Sequence, residues 1–286
     1  MAEAVRLPVR ECVGEALRFA VDNIRFVAIM AGAGAGALVL LTGLALLVPP
    51  TGIVTSVAAT FARAFVYAAL IAAALYGAGA VRTRLAGDGW RVWASMAIVA
   101  FFLFIVFFVL MIPGMIVLFS GPLAPYVGDL EAAGQDQTRV VEIMTRFAQE
   151  QPLAVLLFAL FYAVIWLLLT SRLYLAAPAS VDQNRVLTFE TWKWTKGAML
   201  QVTWARLMLL GPAYVLVSAL DYIVGRLAGI DAFNPGAGAG VAIGNPALFL
   251  GYVFATTFIT LLVYSSLEAG LSSALYKALK PAAPRQ

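Results

Sequence analysis

Six apolar runs, each longer than the ~20 residues that cross about 30 Å of hydrocarbon, constrain this chain more than any other feature. They cover Phe26–Val48, Ile53–Ala80, Trp93–Phe119, Pro152–Ala177, Ala198–Leu227 and Pro246–Tyr276. Of the 286 residues, 63% are hydrophobic and only 12% are charged. A soluble domain is about half apolar and about a quarter charged, so no water-facing surface could be built from this composition. The expected fold is an all-α integral membrane protein with about six transmembrane helices. Residues 26–277 form the membrane domain, residues 1–25 an N-terminal amphipathic segment and residues 278–286 a tail.

Lys and Arg are distributed asymmetrically between the loops. With the N-terminus inside, the inner segments hold Arg6, Arg10, Arg18, Arg25, Arg82, Arg84, Arg91, Arg185, Lys193, Lys196, Lys277, Lys280 and Arg285. The outer segments hold only Arg139, Arg146 and Arg226. Positive charge stays on the cytoplasmic side, which predicts that both termini are cytoplasmic. Residues 1–25 carry Glu as well as Arg, unlike the leader of a cleaved signal, so no cleavage is expected.

Between Leu7 and Asp22, Val9, Cys12, Val13, Ala16, Leu17, Ala20 and Val21 fall on one helical stripe, opposite Arg10, Glu11, Glu15, Arg18 and Asp22. Two placements suit such a helix: in the cytoplasmic interface of the bilayer, or against the protein's own cytoplasmic loops. The longest outer loop, residues 121–151, predicts a helix from Gln137 to Gln149. Asp136 is its N-cap, and Val140, Met144 and Phe147 share one face. The stretch from Ile230 to Asn245, with Gly236, Gly238 and Gly240, lacks the Lys of a phosphate-binding loop and reads as a flexible turn. Pro113-Gly114 marks a break in the third run, and Gly211-Pro212 a kink in the fifth.

Several chemistries are excluded by what the chain lacks. It has no His, which removes Ser-His-Asp and Cys-His nucleophile pairs, His-ligated zinc and the usual proton relay. Its single Cys, Cys12, cannot form an intrachain disulfide and reads as a small buried residue, with palmitoylation or a redox role as the alternative. The net charge of +4 comes without basic runs interleaved with aromatics, so no nucleic-acid partner is expected. No cofactor and no metal cluster is expected.

Five ionisable residues fall inside apolar runs: Arg63, Arg172, Arg206, Asp221 and Glu268. Such groups cost several kcal/mol unless paired or hydrated, about 2.5–3.5 kcal/mol for Arg, Lys or Asp at a helix centre. Arg172, Arg206 and Glu268 lie near the same ends of their helices, and the expectation is that Glu268 pairs with Arg206 or Arg172. Arg63 is nearest the midplane, and sequence assigns it no partner. These residues form either a cavity for a lipid phosphate or another anion, or an ion-pair network that fixes packing. Gly32 and Gly36 form a G-x-x-x-G, read as a close helix contact within the monomer.

The stretch between the fourth and fifth runs, residues 179–197, reads as an interfacial elbow. Pro178 ends a helix, Thr188 caps a short one, and Phe189, Trp192 and Lys196 share a face. Trp192 and Trp194 suit headgroup depth, with Lys193 and Lys196 toward anionic lipid. Glu15-Ala16-Leu17-Arg18-Phe19 parallels Glu190-Thr191-Trp192-Lys193-Trp194, which suggests two elbow-plus-span units.

The segment Ser171-Arg172-Leu173-Tyr174-Leu175-Ala176-Ala177-Pro178-Ala179, continuing to Phe189-Glu190-Thr191-Trp192-Lys193-Trp194-Thr195-Lys196-Gly197, resembles bacterial multi-helix membrane proteins related to the glycerophosphoryl diester phosphodiesterase membrane domain and to YciC-like proteins. The resemblance implies a bacterial inner-membrane protein without a settled activity. In the phosphodiesterase fusions catalysis belongs to a separate soluble barrel, which this sequence lacks.

Three functions follow in order. The first is a non-enzymatic inner-membrane protein that interacts with lipids or supports the envelope, with membrane lipids as partners and a homo-oligomer or a membrane-protein partner compatible with it. The alternative is a transporter or channel subunit for a lipid or a small anionic solute, favoured if a polar cavity reaches Arg63. The last is a lipid-modifying enzyme, for which no paired carboxylates or metal ligands are in evidence.

Overall fold

The computed structural model describes residues 7–230 and 237–280, without the side chains of Ala237 and Ala239. Arg6, Arg285, Gly236 and most of the tail 278–286 lie outside the described residues. Among the described residues there is no β-strand, and six helical stretches are long and apolar enough to cross a membrane: Ile24–Leu47, Pro49–Tyr76, Ala78–Ser120, Pro152–Asp182, Met199–Leu227 and Pro246–Leu279. The protein is a multi-pass, all-α membrane protein.

The chain divides into two units, Met1–Ile98 with Ser171–Gln286, and Val99–Thr170. In chain order the helices are α1 (Val9–Asp22), α2 (Ile24–Leu47), α3 (Gly52–Tyr76), α4 (Val81–Ser120), α5 (Val127–Ala133), α6 (Gln137–Glu150), α7 (Pro152–Leu173), α8 (Ala176–Asp182), α9 (Glu190–Trp194), α10 (Met199–Leu227), α11 (Ala237–Gly244), α12 (Pro246–Ile259) and α13 (Ser266–Leu279). A π-helical segment, Thr260–Ser265, joins α12 to α13, so the sixth span is one continuous helix with a locally widened turn.

In the first unit α3 is the central helix. Val66 and every residue from Ala68 to Ala73 are buried, which small side chains permit on all faces at once. Helix α2 packs on α3 and on the sixth span through Gly34, where a Cβ would stand 2.7 Å from Val66 Cγ2 and 2.8 Å from Leu261 Cδ1. The expected Gly32/Gly36 contact is corrected by this geometry. A Cβ on Gly32 would meet only Phe258 at 3.9 Å, and one on Gly36 nothing within 4 Å. The inward face of α2 is set by its neighbours and carries Ala31, Gly34, Ala35 and Leu38.

The register of these contacts fixes direction. Gly32 lies near Phe258 and Gly43 near Leu250, so α2 runs antiparallel to the sixth span. Helix α3 turns back from α2 through Pro49–Thr51 and therefore runs parallel to it.

Helix α1 packs on α13 and α10, with Cys12 and Ala16 buried. The contact is with the protein's own membrane helices, while Leu17 and Val21 on the same stripe remain exposed. Its crossing with α13 is close: a Cβ on Gly270 would meet Ala16 Cα at 3.0 Å. Burial, then Glu15 and Glu11, push the Cys12 thiol up to about 11.

The elbow departs from expectation in three places. Helix α7 already ends at Leu173, and Pro178 sits in the first turn of α8, where its missing N–H is not required. Thr188 gives no side-chain cap; its carbonyl instead accepts the Thr191 hydroxyl at 2.6 Å. The inward face of α9 is Thr191 and Thr195, whose hydroxyl donates to the Arg172 carbonyl at 2.9 Å. Helix α9 spans 5 residues against 14 in α1, so the two proposed repeat units differ in shape.

The second unit contains the later part of α4, then α5, α6 and the larger part of α7. Asp136 caps α6 as expected, its Oδ1 accepting from the N–H groups of Thr138 at 3.0 Å and Arg139 at 3.2 Å. The buried face of α6 is Ile143 and Phe147, packed with Leu123, Tyr126 and Ala133, and Met144 points away. Neither proline breaks its helix: α4 is continuous for 40 residues around Pro113 and α10 for 29 around Pro212. A proline in a lipid-bound helix is tolerated when neighbours satisfy the freed backbone. At Gly114 the missing side chain admits the Tyr162 hydroxyl, which donates to the Leu110 carbonyl at 2.9 Å. The glycine-rich stretch after Ile230 is likewise not wholly a turn, since Ala237–Gly244 is helical.

Candidate functional site

In the sixth span, Tyr252, Thr256, Thr260, Tyr264, Glu268 and Ser272 recur at intervals of four. In a regular α-helix such a series drifts by ~40° per step, about 160° from Tyr252 to Glu268, and would wind halfway round the helix. The π segment Thr260–Ser265 interrupts that drift, because i→i+5 bonding places more residues in each turn. The polar residues therefore face one side.

That side opens on a cavity of about 640 Å³ within the first unit. Helix α3 contributes Thr60, Arg63, Ala64 and Tyr67; α4 contributes Met96; α10 contributes Asp221. The sixth span contributes Tyr252, Thr256, Thr257, Thr260, Leu261, Tyr264, Ser265 and Glu268. From Tyr252 to Glu268 the stripe extends roughly 24 Å, most of the hydrocarbon thickness of about 30 Å.

The ends of the stripe are tied down. Tyr252 donates its hydroxyl to Asp221 at 3.3 Å, and the Tyr67 and Ser272 hydroxyls are hydrogen-bonded at 3.3 Å. At one side wall the Trp93 indole N–H donates to Thr60 Oγ1 at 3.1 Å, and the Trp93 ring stacks on Phe61 at 4.0 Å. The threonine hydroxyls spend their protons on their own helix: Thr256 donates to the Tyr252 carbonyl at 3.0 Å and Thr260 to the Thr256 carbonyl at 2.8 Å. Their oxygens keep lone pairs for whatever enters.

Arg63 falls mid-helix in the run Pro49–Tyr76 and is exposed on the cavity side. Among the described residues it has no hydrogen bond and no ion pair. Glu268 is half-buried, and among the described residues no ion pair within 4.0 Å joins it to Arg206 or Arg172. The expected Glu268 pair is thus not made, and aromatic faces explain why. The Arg206 guanidinium lies 4.6 Å from the Tyr174 ring centre and donates to Ser171 Oγ at 2.8 Å. The Arg172 guanidinium lies 5.4 Å from the Trp192 ring centre, with its Nη1 buried. Arg206 acts on Glu268 through space, beyond ion-pair distance, and the Tyr174 hydroxyl beneath it donates to the Glu268 carbonyl at 3.3 Å.

The structure thus brings Arg63, Asp221 and Glu268 to one cavity and leaves Arg172 and Arg206 outside its lining. Of the expected anchors, Lys193 and Lys196 are exposed, Trp192 carries Arg172, and Trp194 packs near Tyr276 at 6.1 Å.

A second polar cluster is fully paired. Asp88, 1% exposed, accepts from Arg84 at 3.1 Å and Arg91 at 2.9 Å. Arg84 also donates to the Val181 carbonyl at 2.8 Å and to Asn184 Oδ1 at 3.1 Å. Asn184 adopts φ +55°, a conformation that asparagine tolerates well. Asp182 accepts from Tyr76 at 2.6 Å and Tyr276 at 2.7 Å, and pairs with Lys280. This cluster joins α4 to the ends of α3, α8 and α13, and each of its charges has a partner within the protein.

The sequence reading noted Arg63 and Glu268 but missed the hydroxyls between them. Their spacing by four was the available signal. No family model, curated protein or solved structure matches this chain.

Proposed function

We propose that this protein is a non-enzymatic inner-membrane transport protein that takes the anionic group of a lipid or of a small solute into its intramembrane cavity and passes it along the polar stripe. Arg63 carries the reading. A guanidinium at the centre of a membrane helix costs about 2.5–3.5 kcal/mol on insertion scales, and among the described residues no hydrogen bond or ion pair offsets that cost. An anionic oxygen from a ligand supplies the missing partner with charge-assisted hydrogen bonds. The length of the stripe supports movement over static holding, because hydroxyls succeed one another at each turn across most of the hydrocarbon.

Catalysis is disfavoured by spacing. Asp221 and Glu268 belong to opposite ends of the stripe, roughly 24 Å apart by helical rise, against the ~5–10 Å of working carboxylate pairs. The Lys/Arg asymmetry supports cytoplasmic termini, and the resemblance of residues 171–197 supports a bacterial inner membrane.

The test uses the purified full-length chain in vesicles containing acyl-labelled fluorescent phosphatidylglycerol and phosphatidylethanolamine, with reductant-accessible fluorescence read over time. A parallel arm follows uptake of a radiolabelled phosphate monoester. The expected result is protein-dependent movement in one arm, lowered about tenfold or more by Arg63→Ala, the loss of one charged hydrogen bond. Rates equal to protein-free vesicles in both arms overturn the reading.

A further inference from the structure

We infer that the cavity selects a zwitterionic ligand, an anionic oxoacid joined to an ammonium group that bears N–H donors; this rests on the transport reading above. Its basis is the pair of opposite charges that the cavity holds apart. Arg63 is the cavity's fixed cation, and it calls for an anion. Of the two carboxylates in the lining, Asp221 already accepts from Tyr252 at 3.3 Å, whereas Glu268 has no side-chain partner among the described residues and calls for a cation. An anion alone would satisfy Arg63 and leave the Glu268 carboxylate without a cation in the cavity, and a charge left unpaired within a membrane is costly.

Position supports the pairing. Helix α3 and the sixth span run parallel and are joined by the Tyr67–Ser272 hydrogen bond. Arg63 lies one turn before Tyr67, and Glu268 one turn before Ser272, so both charges face the same stretch of cavity. They do not approach within ion-pair distance, which leaves room for a group that contacts both. A phosphate joined to a primary ammonium by a two-carbon bridge, whether a lipid headgroup or a free solute, has that shape.

The experiment is native mass spectrometry of the full-length protein with equal amounts of dioleoyl phosphatidylethanolamine, phosphatidylcholine and phosphatidylglycerol, followed by competition with free phosphoethanolamine. The expected order places phosphatidylethanolamine about tenfold above both others, since phosphatidylcholine lacks N–H donors and phosphatidylglycerol lacks the ammonium. Glu268→Gln should bring that ratio near one, Glu268→Asp should restore part of it, and Arg63→Ala should weaken all three lipids together. Displacement by phosphoethanolamine supports the zwitterion as a free solute; retention of the lipid supports a headgroup. Equal binding of the three lipids by the wild-type protein overturns the selectivity while leaving the anion reading intact, and needs no variant to fold. Failure to bind any of the lipids or phosphoethanolamine overturns both.

Discussion

The two units hold cavities of similar size and opposite chemistry. In the unit Val99–Thr170, spaces of about 580 and 550 Å³ are walled by Phe104, Phe107 and Trp166 on one side and by Val117, Leu157 and Phe161 on the other. The one polar side chain that lines both, Tyr162, gives its hydroxyl to the Leu110 carbonyl. In the other unit the space of about 640 Å³ holds three charged residues and a column of hydroxyls. Polar groups in lipid-bound helices are ordinarily paired, as Tyr162 and the Asp88 and Asp182 clusters are here. A charge left without a protein partner therefore marks function more reliably than a charge merely inside an apolar run.

That contrast can be broken from either side. The largest effect is expected at Gly114, where a Cβ would stand 1.8 Å from the Tyr162 hydroxyl. Gly114→Ala should displace the ring, cost about 1–3 kcal/mol and lower the melting temperature in detergent. Tyr162→Phe in the same chain should recover part of the loss; no recovery would mean that the hydroxyl is not what the glycine accommodates. A smaller effect is expected at Asp136, whose carboxylate caps α6. Asp136→Ala should cost about 1 kcal/mol and loosen amide-exchange protection in the first turn of α6. The smallest loss of stability is expected at Arg63. With no partner to lose among the described residues, Arg63→Ala should leave stability unchanged or raise it, by relieving a cost of about 2.5–3.5 kcal/mol, while lowering ligand effects about tenfold or more. A loss like that at Gly114 would make Arg63 a packing residue and erase the distinction between the units.

Much of the fold was legible from composition and punctuation. The six runs matched the six spanning helices to within a few residues at most of their ends, because a hydrocarbon slab leaves helix as the economical way to pair every backbone group. Asp136 was legible because a cap is a local interaction, settled within three residues. The errors share one cause. The choice among Gly32, Gly34 and Gly36 depends on which face meets Val66 and Leu261, and those residues come from other helices. The direction of Arg206 depends on Tyr174, an aromatic face that competes with a carboxylate. The candidate site was half legible. Its charges stood out against apolar surroundings, whereas Thr256, Thr260 and Tyr264 were submerged in the mean hydropathy of the run. Their alignment also requires a π turn that no residue type announces.

The crossing of α1 over α13 has a mechanical consequence. Ala16 and Gly270 bring two backbones together without an intervening side chain, so there is no compressible layer between them. The N-terminal helix is coupled to the last turns of the sixth span as a splint is to a rod. The widened turn at Thr260–Ser265 lies upstream of that splint and is the weak section of the rod. Any bending of the sixth span that widens or narrows the cavity must concentrate there, and the splinted segment, with Ala16 and Gly270 in register, swings as one piece.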